Sequence, residues 1–255
     1  MTPLPAASAP NSSATAHPFL DKEHAKIRRL FDGVAPRYDF LNHLLSFQLD
    51  RAWRRRAVAA LALARDGCYL DACCGTGDLA FAVRRRVQAL GGGRVVASDF
   101  SLNMLEIAHA KNRADARSPA AALLAGDTLR LPFAAQTFDG VTVGFGIRNV
   151  EHLAAALTEL RRVLKPGGRL VLLEFTRVTQ PVLKQLFDFY CQRVLPRIGN
   201  WLSGSRERAY SYLQESIARW PAGDVLAVEL RSCGFRDVRW RRLLPGNVAL
   251  HVGVC

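Results

Sequence analysis

CYLDACCGTGD, residues Cys68 to Asp78, is the stretch that decides the fold, because it reads as a buried strand running straight into a glycine turn that opens a helix. Tyr69 and Leu70 carry the strand character and Asp71 ends it. Gly75 and Gly77 allow a tight turn whose backbone a ligand can approach closely. From Asp78 the pattern turns helical, with Leu79, Phe81, Ala82, Val83 and Val87 as an apolar stripe, so the helix N-terminus points at the turn. Gly75-Thr76-Gly77-Asp78-Leu79-Ala80 also fits the glycine fingerprint of dinucleotide sites, which alone is a weak signal. A second strand from Arg94 leads to Asp99, where a carboxylate can take both ribose hydroxyls of an adenosine under either reading. Asp71 separates the two. A carboxylate just before the glycines repels a pyrophosphate but suits the ammonium of a methionyl group beside a sulfonium, which favours S-adenosylmethionine over a nicotinamide.

Outward from this stretch, strand and helix alternate. Strands are expected at Cys68–Ala72, Arg94–Ser98, Ala121–Ala125, Gly140–Gly144, Arg169–Glu174, about Phe235–Leu243 and Asn247–Val254, with helices near 78–90, 101–113, 152–164 and 223–233. This predicts an α/β, Rossmann-like, mostly parallel seven-stranded sheet with helices on both faces. Leu244-Pro245-Gly246 joins the last two strands as a hairpin, giving an antiparallel C-terminal edge; seven strands with that edge resemble the class I methyltransferases. Lys165-Pro166-Gly167-Gly168 reads as a helix stop and turn into the fifth strand.

Ligands collect at the carboxyl ends of such strands. Asp127 and Thr128 follow the third strand, and Asp127 can accept from an adenine amino group. The fourth strand ends in Gly144-Phe145-Gly146-Ile147-Arg148-Asn149, which places Arg148 and Asn149 where a substrate would meet a methyl donor. Ahead of the sheet, Leu41, Leu44, Leu45, Leu49, Trp53 and Val58 recur at helical spacing and are expected to pack on the main domain. Among them stand Arg37, Tyr38, Asp39, Asn42, His43 and Ser46, either a flap over the cofactor or solvated polar faces. After the fifth strand comes an apolar helical insertion, about 178–222. Its first part carries an apolar helical stripe from Leu183 to Leu202, broken by Pro196 and Gly199 and readable as core or as a binding surface; a second helical piece carries Tyr210, Tyr212, Glu215 and Ser216, and the insertion can wall a greasy cavity.

At 255 residues the chain is expected to be a disordered tail, 1–20, and a single domain, 21–255, with the N-terminal flap at 21–64. No run approaches a membrane span, and residues 1–19 do not resemble a secretory signal. The +13 formal charge invites an anionic membrane or a nucleic acid, but only five of the 35 basic residues are Lys, and the Arg clusters at 54–56, 84–86 and 241–242 are expected on surfaces of different elements. The six Cys have no metal-site spacing, so no metal is expected, and Cys73 and Cys74 are read as reduced thiols filling space behind the turn.

The chain resembles the menaquinone/ubiquinone biosynthesis C-methyltransferase family over roughly Phe31 to Val254. The resemblance is carried by Ala35-Pro36-Arg37-Tyr38-Asp39 with Asn42 and Ser46, by CCGTGDLA at 73–80, GFGIRNV at 144–150, RVLKPGGRL at 162–170, LEF at 173–175, YSYLQESI at 210–217 and GNVALHVG at 246–253. It implies cofactor contacts at Thr76, Asp99, Asp127, Thr128 and Gly144, beside Asp71, Gly75 and Gly77 of the turn. It implies a prenylated quinol substrate, demethylmenaquinol before a ubiquinone precursor, methylated on a ring carbon. Arg148 would hold the developing quinolate oxygen and act through a water as base, with Asn149, Tyr38, Asp39 and Asn42 orienting ring or water; a structural ion pair of Arg148 with an acid such as Glu151 is the alternative. An oily tail on the substrate implies a cytoplasmic protein in peripheral contact with the anionic inner face of the membrane, through the insertion and nearby Arg. No nucleic-acid partner is expected, because the aromatic, apolar insertion argues against one; a homodimer stays open. Gly144, Gln48 and Asp50 depart from the family, where Ser, Gly and His are frequent. Two rivals stand beside this reading: another small-molecule or RNA methyltransferase of the same fold, and a catalytically silent S-adenosylmethionine-binding scaffold.

Overall fold

The computed structural model describes residues 32, 38–115, 120–189, 193 and 209–255. Seven strands form one sheet: β1 Cys68–Ala72, β2 Arg94–Asp99, β3 Ala122–Ala125, β4 Phe138–Gly144, β5 Leu164–Phe175, β6 Arg236–Leu243 and β7 Val248–Val254. Their order is β3-β2-β1-β4-β5-β7-β6, parallel except where β7 runs antiparallel to β5 and β6. The expected sheet and its antiparallel edge are therefore present. Strand order reverses at β1 and β4, which makes a crevice at the carboxyl ends of these two strands.

Alternation of side chains sorts the core into two layers. Leu70, Ala72, Val141, Leu170 and Leu172 point into one apolar cluster, with Ala156, Leu157 and Leu160 of α5 (Leu153–Val163) and Leu226, Ala227 and Leu230 of α8 (Gly223–Ser232). Tyr69, Val95, Ala97, Val171 and Leu173 point into the other. There they meet α2 (Leu49–Ala60), α3 (Asp78–Ala89) and, at Ala108, α4 (Leu102–Ala114). Because both faces are covered, β1 is buried at every residue. Helix α1 (Tyr38–Leu45) precedes α2, and α6 (Pro181–Phe189) and α7 (Ala209–Arg219) lie in the insertion after β5.

Three expectations change. Helix α5 stops at Val163 and β5 begins at once, so Lys165–Gly168 is not a turn before the strand. It is an irregularity within it, between the pairs Phe138–Leu164 and Gly140–Arg169. The leader docks less of its apolar stripe than its spacing predicts: Trp53 and Val58 are buried, whereas Leu44 and Leu49 are 43% and 36% exposed. The break falls at Phe47 and Gln48, both left-handed at φ 51 and 62. That backbone explains why glycine is frequent at position 48 in the family, and holding Gln48 there costs about 1 kcal/mol. Finally, Arg84 leaves the surface cluster to be buried, donating to Asn112 and Asp115 at 2.5 Å each. The side chains of Leu41, Leu45, Leu183 and Leu186, and residues 194–202 of the insertion, lie outside the described residues.

At the antiparallel edge, His251 is buried, stacked on Trp240, with Nε2 at 2.8 Å from the Gly223 carbonyl. Burial lowers its pKa from 6.5 to about 4, against the Gly223 bond. The unfolded chain therefore binds the extra proton first as pH falls. Stability is expected to be full above pH 6.5 and to drop by about 3 kcal/mol on the way down to about pH 4. Urea melts across that range check this; His251→Gln should flatten the drop.

Candidate active site

The glycine turn has the backbone that its sequence demands. Gly75 and Gly77 have φ of 54 and 85, and Gly77 caps α3. A Cβ at Gly75 would meet nothing within 4 Å, so one side of the turn is open; a Cβ at Gly77 would strike the Phe81 ring at 2.7 Å. Around this opening the strand ends bring carboxylates together. Asp71 is fully buried, with Oδ1 accepting from Thr142 at 2.6 Å and Oδ2 left without a hydrogen-bond partner. Asp99, expected to take both ribose hydroxyls, accepts on Oδ2 from the Gly75 amide at 2.7 Å and on Oδ1 from the Ser101 amide at 2.9 Å. Asp127 turns the chain by accepting from the Leu129 amide at 2.9 Å. Thr128 meets the Cys73 thiol at 3.1 Å.

These groups set the electrostatics. Burial pushes Asp71 up to about 7, against the Thr142 hydroxyl and the Ala80 amide, and burial also raises Asp99. Cys73 is pushed up to about 12, first by burial and then by the negative field of Asp99, Asp71 and Asp127 together. The crevice is thus an acidic, poorly solvated hollow, and its two adjacent thiols stay protonated. Opposite, Gly144 closes on α3: a Cβ there would lie 3.0 Å from Leu79, so the serine frequent at this position in the family would need Leu79 to shift. Gly146 allows a still closer approach, since a Cβ there would fall 2.3 Å from that of Cys73.

The leader is fastened onto this turn. Asp39 accepts from the Thr76 hydroxyl at 2.5 Å and from Lys111 Nζ at 2.8 Å, and Lys111 also holds Asp78. Asp39, expected to orient the acceptor ring, thus contacts the cofactor turn. These bonds set the start of α1 against the glycine turn. Asn42 appears only through its carbonyl, which accepts from the Ser46 amide at 3.0 Å; the Tyr38 side chain lies outside the described residues. A second cluster backs the first. Asp50 accepts from Ser46 at 2.8 Å, lies 2.6 Å from His43 Nδ1 and binds Arg54, which also reaches Asp78 at 3.4 Å. Burial pushes Asp50 upward, but Arg54, Ser46 and His43 together hold it below the ordinary carboxylate range. The imidazole frequent at position 50 in the family is absent here, and His43 supplies one beside the acid that replaced it.

The β4 turn forms the far wall. Arg148 sits in a single 3-10 turn, Ile147–Asn149, and is buried. It pairs with Glu174 rather than Glu151: Nη1 donates to Glu174 Oε1 at 3.0 Å and to the Phe145 carbonyl, and Nε to Ser216 at 3.4 Å, while Cζ lies 5.1 Å from the centroid of the Phe175 ring. Asn149 Oδ1 accepts from the Tyr212 hydroxyl at 3.1 Å. Helix α7 is thereby tied to the β4 turn at two points. Lys111 is a participant that sequence reasoning missed, and Glu174, Tyr212, Ser216 and His43 were noticed without a partner being assigned. Glu174 left one legible trace, an acid ending an otherwise apolar buried strand, which demands a cation.

A parallel sheet reversing at β1/β4, with a glycine turn and acids at its carboxyl edge, defines a class I S-adenosylmethionine methyltransferase fold. Solved structures agree on the fold: the [4+2]-cyclase SpnF superposes with TM-score 0.64 at 16% identity, covering 89% of this chain and 94% of its own. A SAM-dependent methyltransferase from Thermotoga maritima superposes with TM-score 0.59 at 17% identity over 89% and 98%. The chain belongs to the ubiE/COQ5 methyltransferase family, whose model matches residues 20–255. It is 42% identical to a demethylmenaquinone methyltransferase of Mycobacterium marinum over 92% of this chain and 95% of that one. It is 46% identical to a ubiquinone/menaquinone biosynthesis C-methyltransferase of Syntrophotalea carbinolica over 89% and 92%.

Removing one partner of the buried pair strands the other charge. Arg148→Ala is expected to cost roughly 3–5 kcal/mol of stability, and Arg148→Met with Glu174→Leu to recover most of it. Denaturant melts of both variants measure this. A well-folded double variant then shows by its turnover whether the pair serves the reaction as well as the fold.

Proposed function

We propose that this chain transfers a methyl group from S-adenosylmethionine to a ring carbon of a prenylated quinol, converting demethylmenaquinol to menaquinol. What carries the reading is the crevice: Asp71, Asp99 and Asp127 all bear on Cys73 beside the glycine turn, and Asp71 Oδ2 is buried without a hydrogen-bond partner. That hollow suits a ligand bearing an ammonium and a sulfonium and repels a pyrophosphate. The acceptor follows from the relatives, several of which are named demethylmenaquinone methyltransferases.

When bound, S-adenosylmethionine supplies an electrophilic methyl group. Asp71 would balance its ammonium, Asp99 would accept from its ribose, and Asp127 and Thr128 would border its adenine. Gly75 would leave room for its backbone-facing edge, with Gly77 and Gly144 bordering it against Phe81 and Leu79, and Thr76 would be the point at which the Asp39 flap closes. Alignment of donor and acceptor contributes much of the acceleration. On the acceptor side, Tyr212 occupies Asn149 Oδ1, which leaves the Asn149 amine to donate to an ionised quinol oxygen. The ring proton would leave to a water, because a guanidinium is too weak a base. Arg148, inside the wall, would act by holding Asn149 and α7 in place and by lending positive potential to the quinolate. Tyr38 and Asn42, on the inner turn of the flap, would orient the ring. We place the protein in the cytoplasm, in peripheral contact with the membrane that dissolves its substrate; among the described residues no helix is long and apolar enough to cross one.

The test is turnover of a short-tailed demethylmenaquinol with labelled S-adenosylmethionine. Methylated product is expected, and Asn149→Ala should cost about a hundredfold in kcat with donor affinity unchanged. Donor binding without any turnover would favour a silent scaffold instead. Donor affinity should also depend on pH. Ligand-free Asp71 holds its proton up to about pH 7 and must release it to face an ammonium. Calorimetry should find binding about tenfold weaker at pH 6 than at pH 8, with proton release, and Asp71→Asn should abolish the difference.

A further inference from the structure

The outer side of the flap combines exposed apolar side chains with flanking arginines. Helix α1 has eight residues, and its inner side carries Asp39, fastened to Thr76 and Lys111 of the crevice. On its outer side Phe40 is 59% exposed and Leu44 43%, and Phe47 in the following turn is 73% exposed. Leu244, 75% exposed at the tip of the β6–β7 hairpin, adjoins the same region, because its carbonyl accepts from Trp53 Nε1 of α2 at 2.8 Å.

The charges flanking these side chains are mostly positive; Asp39, just before Phe40, is held by Lys111 and Thr76. From Phe40 to Arg65 the only acid is Asp50, which is buried and bound to Ser46, His43 and Arg54. Arg51, Arg55 and Arg56 of α2 are exposed, as are Arg241 and Arg242 beside the hairpin tip, and no acid follows Asp237. Helix α8 supplies the contrast. Val225 and Val228 are 54% and 62% exposed there, but Asp224 and Glu229 stand beside them.

We propose that the outer side of α1, its following turn and the β6–β7 tip form a docking surface for an anionic lipid bilayer, with Phe40, Leu44, Phe47 and Leu244 entering the interfacial region. The aliphatic and aromatic side chains gain from transfer out of water, and the flanking arginines gain from anionic headgroups. A nucleic acid would satisfy the arginines but leave Leu44 and Leu244 in water. Docking so would set the mouth of the crevice against the bilayer, since one short helix contacts both. The inference shares with the proposed function a substrate dissolved in lipid. It moves the contact from the insertion to the flap, and its test uses neither substrate nor donor.

The full chain is sedimented with vesicles of phosphatidylcholine alone or mixed with phosphatidylglycerol, at low and high salt. Binding is expected only to the anionic vesicles, weakening as salt screens the arginines. Phe40→Ser/Leu44→Ser/Phe47→Ser should lower partitioning about tenfold or more. Arg51→Gln/Arg55→Gln should lower it severalfold, and Val225→Ser/Val228→Ser should leave it unchanged. Should the triple variant fold poorly by circular dichroism, quenching of Phe47→Trp by brominated lipid, measured as the difference from the parent chain, gives the same answer. Failure to bind anionic vesicles, undiminished binding by a folded triple variant, or an unquenched Phe47→Trp would overturn the proposal. So would an RNA duplex bound in place of vesicles, or a dimer that the triple substitution dissolves. None of these results bears on turnover of the short-tailed quinol.

Discussion

Carboxylates that water cannot reach govern this site. The sheet is covered on both faces, so its strand ends converge in a crevice of low polarisability, and Asp71 and Asp99 are forced to share it. Burial disfavours both charges, and the negative charge of Asp99 adds to the difficulty of Asp71. Asp99 is relieved by the amides of Gly75 and Ser101, bonds that also hold the glycine turn in shape and start α4. Asp71 is relieved on one oxygen only. A site carrying unbalanced negative potential is built for a positive ligand, which is the property that separates a sulfonium donor from the dinucleotides that the same glycine pattern serves elsewhere.

The flap and the far wall answer that constraint differently. On the flap side, acids and bases alternate through space: Asp39, Lys111, Asp78, Arg54 and Asp50 form a chain in which each charge faces an opposite one, with the His43 ring beside Asp50 and Asp78. Such a partly solvated network can be broken and remade at modest cost, as a cover over a ligand site requires. On the far wall, Arg148 and Glu174 are both buried, and opening that pair would leave charges in the protein interior. The two sides of the crevice thus differ in what opening their ion pairs would cost, and the costlier side carries Asn149 and Tyr212.

The described residues of the insertion after β5 have the same logic. Helix α7 does not pack on the wall through apolar area alone. It reaches in with Tyr212 to Asn149 and with Ser216 to Arg148, so the element that distinguishes this chain from the bare fold is attached at the positions where the β4 turn meets the crevice. A low-identity neighbour such as a cyclase can share the sheet and differ in activity, because the sheet fixes where ligands gather and the appended helices fix which ligand enters.

The chain by itself determined the sheet, its antiparallel edge, the glycine turn and the acids that ring it. Those features are written in local patterns: alternation of apolar residues, glycines where φ must be positive, acids immediately after strands. It also marked the β4 turn and the leader as unusual. Which charge faces which was not legible, because partners such as Arg148 with Glu174, or Asp39 with Thr76 and Lys111, lie 26 to 72 residues apart and meet only once the strands are ordered. For the same reason spacing overestimated how much of the leader is buried: a helical stripe shows that one side is apolar, and only packing against α3 and the β6–β7 tip decides that Trp53 is covered while Leu44 remains exposed.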